Sequence, residues 1–426
     1  MNTNEFIPEF IKSLINRFES SGFEAYAVGG CIRDRLLGMH QHDWDMCTSA
    51  APDEVYKVLD GFEIIPTGIR HGTVTVITPD GSVEVTTFRG DGEYTDSRHP
   101  ESVRFINSLT EDLKRRDFTI NAMAYSDRSG LVDIFGGKAD LKAGILRCVG
   151  EPEKRFTEDA LRIMRALRFS AVYKLSIEAS TASAIHICKN GLKNISAERI
   201  YAELKKIFAL AEHPGMILRD YFDILAVLFP EFTPYLGNVK ARKQALYVID
   251  NLPGGFSLRM SGLLYFLRLS GADKDEYKAA ASSAVTRLKP TKKTYRRIMK
   301  LVDVQDCPLP DSLKATRLFI NKYGEQPCRD FIAWKTACGF DAPAARMEEF
   351  LNRICEDSLC CSVSDLAVNG RDLISIGVPG GEMTGYILNL LLTEVINDNL
   401  KNERTALLNR AVQYLQKART ALNRLF

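Results

Sequence analysis

The chain has 426 residues, of which 45% are hydrophobic and 26% charged, a balance that excludes wholesale disorder and suits roughly two to four compact units. Lys and Arg total 56 against 54 Asp and Glu, so the formal charge is only +2: a uniformly basic coat protein is excluded, whereas locally basic faces are not. Ten cysteines include no C-x-x-C pair, which argues against a zinc ribbon or a disulfide framework and for free thiols in a reducing cytoplasm.

The opening MNTNEFIPEFIKSL carries Glu5 and Glu9 and no cationic stretch ahead of an apolar run, so neither a secretory nor a transit signal is expected. No apolar stretch approaches the roughly 18 residues that span a bilayer. A cytoplasmic protein with no membrane contact is the expectation.

In chain order, Glu24 to Val28 is a short extended segment that ends on Gly29-Gly30. Residues 71–88 alternate as two strands, TVTVIT and SVEVTTF, around the hairpin signal Pro79-Asp80-Gly81. From about 150 the period changes. Residues 155–171 (RFTEDALRIMRALRFSA) and 196–210 (SAERIYAELKKIFAL) place apolar residues at three- and four-residue steps and predict helices, the first with Thr157 as its N-cap. The rest is helix-rich, broken at Pro253-Gly254-Gly255, at Pro308 to Pro310 and at Gly377 to Gly381. A small head of strands and helices is therefore followed by a long helical body.

Several clusters could carry chemistry. In Gly29-Gly30-Cys31-Ile32-Arg33 a glycine pair after a strand lets backbone approach a phosphate that Arg33 could neutralise, although such pairs are more often plain turns. In His42-Asp43-Trp44-Asp45, strand geometry would point Asp43 and Asp45 the same way, where two carboxylates repel unless a cation lies between them; hard oxygen ligands favour Mg²⁺. The alternative is a polar turn capping a helix near Thr48. Glu84, in VEVTTF, is either a solvated strand residue or a third carboxylate that completes a metal site or takes a proton. Arg115-Arg116 before Asp117 is either a solvated pair or a guanidinium beside phosphate. Asp159, Arg162, Arg165 and Arg168 recur at i+3; the stripe fits one solvated helix face and equally well the lining of a nucleotide pocket.

Together the segments VGGCIRDRLLG, HDWDM, VEVTTFR, RRDFTINAMA, EDALRIMRALRF and ISAERIYAEL, in that order over 27–204, resemble the class II tRNA nucleotidyltransferases of the polymerase-β-like superfamily, specifically bacterial CCA-adding enzymes. GVPGGEMTGYILNLLL and KNERTALL extend the likeness toward the C-terminus. The resemblance implies an α+β chain: a nucleotidyltransferase head with a mixed sheet at 1–140, then an all-helical neck at 141–213, body at 214–310 and tail at 311–426. It implies stepwise addition of C, C and A to the 3′ end of tRNA from CTP and ATP. Asp43 and Asp45 would bind Mg²⁺ with Glu84 as third carboxylate, Gly29, Gly30 and Arg33 would meet the triphosphate, and Arg116, Asp159, Arg162, Arg165 and Arg168 would complete the nucleotide pocket. No protein partner is implied.

Arg287, Lys289, Lys292, Lys293, Arg296, Arg297 and Lys300 fall within fourteen positions. Such a run is often a solvated face, but Lys289, Lys292, Lys293, Arg296 and Arg297 are the best local candidates for tRNA phosphate contacts. The polar segment 89–112 is either a long surface loop or, by the resemblance, the loop that lets such enzymes switch from C to A. CC-adding, A-adding and poly(A)-adding enzymes share the head motifs, and an inactive RNA-binding protein on the same fold is the rival of another class. A histidine-metal hydrolase in the C-terminal half is excluded, because the last of the six histidines is His213.

Overall fold

The computed structural model describes residues 6–40, 43–68, 72–90 and 104–422. His42 and residues 91–103 of the loop singled out above lie outside them. The described chain forms two compact units, Met1–Gly237 with Arg287–Lys289, and Asn238–Thr286 with Pro290–Phe426.

The first unit opens with α1 (Glu9–Ser20), whose Ile11, Leu14, Ile15 and Phe18 make one buried face. There follow β1 (Ala25–Val28), α2 (Gly30–Leu36), β2 (Trp44–Thr48), α3 (Pro52–Val58), β3 (Glu63–Gly68), β4 (Thr73–Thr78), β5 (Gly81–Thr87) and the short pair β6 (Arg89–Gly90) and β7 (Arg104–Phe105). Next come α4 (Leu109–Lys114), β8 (Ala124–Ser126), β9 (Gly130–Val132), α5 (Gly137–Ala143) and β10 (Ile145–Leu146). Seven strands make one mixed sheet in the order β3-β4-β5-β2-β1-β8-β9. β4 and β5 form the expected hairpin, with Thr78 opposite Gly81, and β2 lies parallel to β5. Alternation sets the faces. Trp44, Met46, Val83 and Val85 pack with α1 and α3 on one side, whereas Cys47, Val28 and Phe88 join Leu109 and Leu113 of α4 on the other. Asp45 and Glu84, one step out of phase with the first set, therefore share the second face and are direct register partners.

The helical part of this unit contains α6 (Pro152–Glu158), α7 (Leu161–Tyr173), β11 (Ser176–Ile177), α8 (Ala179–Cys188), α9 (Ala197–Leu210), α10 (Pro214–Asp220) and α11 (Phe222–Leu228). Here the structure corrects the periodicity reading. The segment 155–171 is two helices rather than one, because Asp159 is extended at φ −147°, ψ 99°. Thr157 is no N-cap; it lies inside α6 and its hydroxyl donates to the Glu153 carbonyl (2.8 Å). The N-cap position of α7 is Ala160, and Asp159 just before it takes up the first helical N–H, its Oδ1 accepting from Leu161 N at 3.0 Å.

The second unit is helical: α12 (Val239–Asn251), α13 (Phe256–Leu269), α14 (Lys274–Arg287, whose last residue belongs to the first unit), α15 (Lys292–Val304), α16 (Leu313–Tyr323), α17 (Glu325–Ala337), α18 (Asp341–Glu356), α19 (Gly370–Ser375), α20 (Glu382–Ile396) and α21 (Arg404–Leu422). The expected breaks at 253–255, 308–310 and 377–381 all fall between helices. Trp334, Phe331 and Leu301 centre one core, and Leu391, Leu373 and Leu407 a second. Arg317 ties α16 to the latter. It is 4% exposed and donates to the carbonyls of Cys360 (2.8 Å), Val395 (3.2 Å) and Ile396 (3.3 Å), satisfying the C-terminal end of α20. Arg317→Met strands these acceptors, each worth about 1–3 kcal/mol when unpaired. Urea unfolding is expected to show a loss of roughly 3 kcal/mol or more, and a loss below about 1 kcal/mol would contradict the assignment.

Candidate active site

Within the first unit, the turn after β1, the end of α4, β2 and the face of α7 enclose a cleft of about 450 Å³. Its lining includes Gly29, Gly30, Arg33, Asp45, Arg116, Asp159, Arg162, Arg165 and Arg168. Every nucleotide-pocket residue expected from the sequence is therefore on one wall or another. Asp43 and Glu84 are exposed and stand outside that lining.

The turn needs glycine at one position. Gly29 has φ +80°, and a Cβ there would stand 2.9 Å from Arg116 Nη1, so only glycine lets that guanidinium lie across the turn. Arg116 Nε is buried without a hydrogen-bond acceptor among the described residues. Beneath it, fully buried Asp112 accepts from Arg115 Nη2 (2.7 Å) and Arg116 Nη2 (3.3 Å). Burial alone would raise the Asp112 pKa, but Arg116 and Arg115 together hold it below the ordinary carboxylate value. Asp117 is arranged in the same way: burial is outweighed by Arg165, whose Nε donates at 2.7 Å, and by Asn121, whose Nδ2 donates at 3.1 Å.

Asp45 behaves oppositely. Burial first, then the neighbouring Glu84 charge, push its pKa up to about 6, with Arg116 pulling it down and Asp43 adding to the rise. No three acidic, His or Cys side chains among the described residues converge closely enough to hold an ion unaided. The donor chemistry nevertheless fits a divalent cation: the raised proton affinity of Asp45, buried and facing the Glu84 and Asp43 charges, is what a cation would relieve, and Mg²⁺ commonly takes one or two carboxylates plus substrate phosphate oxygens.

Another part of the cleft is lined from α7 and α9. Asp159 Oδ2 accepts from Arg199 Nη2 at 2.8 Å. Arg162 Nη1 donates to Glu158 (2.7 Å) and to the Arg155 carbonyl (2.8 Å), and its Nη2 to the Arg115 carbonyl (3.1 Å). Arg168 Nε donates to buried Glu203 of α9 at 2.6 Å. Burial, abetted by the like charge of Arg165, still leaves the Arg168 pKa below normal despite Glu203. Seven arginines and three aspartates line the cleft, so it is short of negative charge.

Sequence reasoning missed Asp117, Asn121, Phe169 and Arg199 as parts of this site, and it weighed Arg115 only together with Arg116. All lie inside the quoted motifs, but nothing in their local spacing separates a pocket residue from a surface one. For the basic run, Lys289 pairs with Glu198 and Arg297 with Asp330, whereas Lys292, Lys293 and Arg296 are exposed without a carboxylate partner among the described residues.

A mixed sheet with carboxylates at the edge of a basic cleft is the build of a nucleotidyltransferase, and the comparisons agree. Residues 25–147 match the family model "Poly A polymerase head domain", 174–236 "Probable RNA and SrmB-binding site of polymerase A", and 275–411 tRNA nucleotidyltransferase domain 2. The CCA-adding enzyme of Ligilactobacillus salivarius is 33% identical over 97% of this chain and 99% of its own, and that of Pediococcus pentosaceus 36% identical over 96% and 98%. The Bacillus stearothermophilus CCA-adding enzyme solved with CTP superposes with a TM-score of 0.78 at 29% identity, covering 97% of this chain and all of that one. The Thermotoga maritima enzyme complexed with tRNA shares the fold at TM-score 0.68 and 22% identity, over 96% and 95% of the two chains. The chain belongs to the CCA-adding enzymes, a family of tRNA nucleotidyltransferases that work with a divalent metal ion. No helix of the described residues is long and apolar enough to cross a membrane.

Proposed function

We propose that this chain adds C, C and A to the 3′ end of tRNA from CTP and ATP, releasing pyrophosphate and using protein side chains in place of a nucleic-acid template. The observation that carries the reading is the single cleft in which the Gly29 turn, Asp45, Arg116, Asp159 and Arg162 meet.

Asp43 and Asp45 would hold Mg²⁺ together with the triphosphate. When bound, the ion supplies Lewis-acid stabilisation of charge at the reacting phosphate. Glu84, the register partner of Asp45, completes the set as a further ligand or as acceptor of the primer hydroxyl proton. Arg33, Arg116, Arg165 and Arg168 bind the triphosphate, with the backbone of Gly29 and Gly30 offering close approach. Base choice follows from hydrogen-bond polarity. Cytosine and adenine each present an amino donor beside a ring-nitrogen acceptor, which Asp159 and Arg162 complement; uracil and guanine reverse the pattern. The activity suits a cytoplasmic setting, since all ten thiols are free.

The domain assignment proposed with this function is head 1–140, neck 141–213, body 214–310 and tail 311–426. Lys292, Lys293 and Arg296 are the tRNA-contacting cations, Arg297 being committed to Asp330 and Lys289 to Glu198. Replacing those three with alanine is expected to weaken tRNA binding and to flatten its salt dependence by about two log units per log unit of salt. A salt slope identical to that of wild type would remove them from the interface.

The deciding experiment is single-turnover extension of tRNAs ending at the discriminator base, at C and at CC, with CTP, ATP or both. Two C additions, one A and a stop are expected. Stopping after CC, extending only the CC-ended tRNA, or laying down long A tails would each replace the reading with a different member of the superfamily.

A further inference from the structure

The cleft holds a feature that the reaction does not by itself require: three of its guanidinium groups converge on one aromatic ring. Phe169, 3% exposed on α7, has Arg168 at 4.1 Å, Arg33 at 5.1 Å and Arg165 at 5.3 Å from its centroid. The ring is braced edge-on by Phe118 at 5.7 Å and stacked by Tyr173 at 6.0 Å, and Arg33 also lies 4.3 Å from the Tyr173 ring. Each cation has its own carboxylate, Asp34 for Arg33, Asp117 for Arg165 and Glu203 for Arg168. Arg33 comes from α2, whereas the other two come from α7. Three like charges gathered this closely repel one another; Arg33 is also held by Asn121 Oδ1 at 2.6 Å and by the Tyr173 hydroxyl at 2.5 Å, whereas Arg165 and Arg168, with one ion pair each, would otherwise be freer to swing away from the cleft. The electron-rich faces of a fixed ring give the three a shared anchor without neutralising them.

We propose that Phe169, with Tyr173 as its outer support, is a positioning residue that holds Arg33, Arg165 and Arg168 as a ready-made cradle for the triphosphate. The inference rests on the nucleotide site proposed above and adds how its cations are kept in place. It makes affinity for the phosphates depend on a side chain that has no polar atom. It also separates phosphate binding from base choice, which lies with Asp159 and Arg162.

The test measures the affinity of inorganic tripolyphosphate by calorimetry, and KM, kcat and nucleotide preference in extension assays, for Phe169→Leu, Tyr173→Leu and Tyr173→Phe. Phe169→Leu is expected to weaken tripolyphosphate about tenfold and to raise KM for CTP and ATP by the same factor. Its kcat should stay within about threefold, and C and A should remain preferred over U and G. Tyr173→Leu should weaken tripolyphosphate by about threefold, while Tyr173→Phe, which keeps the ring and loses only the hydroxyl that accepts from Arg33 Nη2, should lose clearly less. If Phe169→Leu fails to fold, the two Tyr173 variants decide. A folded Phe169→Leu protein with unchanged tripolyphosphate affinity would overturn the proposal, and so would a Tyr173→Phe variant as impaired as Tyr173→Leu. A wild-type protein that binds tripolyphosphate yet extends no tRNA would defeat the proposed function and leave this inference standing.

Discussion

Asp45→Asn is expected to abolish nucleotide incorporation while leaving the protein more stable than wild type. Single-turnover extension at saturating CTP should fall by at least about a thousandfold, the scale of losing a charge-stabilising group at the reacting centre. tRNA affinity should change less than twofold, because the cations proposed to meet tRNA lie elsewhere in the chain. The stability gain follows from the site's own electrostatics. Burial and the neighbouring Glu84 charge raise the folded pKa of Asp45 to about 6, from an ordinary value of 3.8. An acid with a raised folded pKa binds more protons in the native than in the unfolded state between those values, so stability declines as pH climbs from about 4 to about 6. Above that window the ionised carboxylate costs about 1–3 kcal/mol, which the amide removes. With divalent ions chelated, thermal unfolding at pH 7 should therefore show the variant melting higher than wild type. Adding Mg²⁺ should raise the wild-type Tm and leave the variant's Tm unmoved. A variant that loses tRNA binding together with turnover, or whose Tm responds to Mg²⁺ as wild type does, would refute the assignment of Asp45.

Asp159→Ala is expected to relax base choice far more than it weakens the triphosphate. The carboxylate accepts from Leu161 N and from Arg199, and each oxygen retains a lone pair for the amino group of cytosine or adenine. Removing it erases the acceptor that uracil and guanine fail to satisfy. An unpaired buried partner is worth about 1–3 kcal/mol, so the preference for C and A over U and G should drop by roughly 10- to 100-fold in kcat/KM. Tripolyphosphate affinity should remain within about threefold, because Arg33, Arg116, Arg165 and Arg168 keep their own partners. Competition assays with all four nucleoside triphosphates read this directly. An unchanged preference would mean that another group selects the base.

The balance between these two variants reflects how the site was assembled. Asp45 is tuned by burial, by Glu84 and Arg116 from distant parts of the chain, and by Asp43 two residues away. Asp159 is tuned by its position at a helix break and by Arg199 on a separate helix. Neither environment is a property of a motif on its own.

Much was legible before folding. Period-two alternation marked β4 and β5 and their turn, three- and four-residue spacing marked α9, and Pro-Gly clusters marked the breaks in the helical half. These signals are local, because a strand's alternation and a helix's face depend on residues within a few positions of one another. Motif composition likewise singled out Arg33, Asp45, Arg116, Asp159, Arg162, Arg165 and Arg168, all on the lining of the cleft, but not Asp117 or Arg199. It failed at residues 155–171, where continuous helical spacing concealed a break. The extended backbone of Asp159 is stabilised by a side-chain hydrogen bond from Leu161 N and by an ion pair with Arg199, forty positions on, and periodicity registers neither.

The sequence by itself determined the residue types available for chemistry, the order of head and helical parts, and which segments could be strands or helices. Tertiary structure alone decided which partners those residues received. Among 56 cations, Arg165 meets Asp117, Arg168 meets Glu203 and Arg297 meets Asp330, and this sorting leaves Lys292, Lys293 and Arg296 without a carboxylate among the described residues. The parallel pairing of β2 with β5 brings Asp45 beside Glu84, and the packing of α7 gathers three arginines on Phe169. The physical reason is range. Backbone preference acts over one or two turns, whereas desolvation, ion pairing and cation–ring contact depend on distances that exist only once the chain has closed on itself.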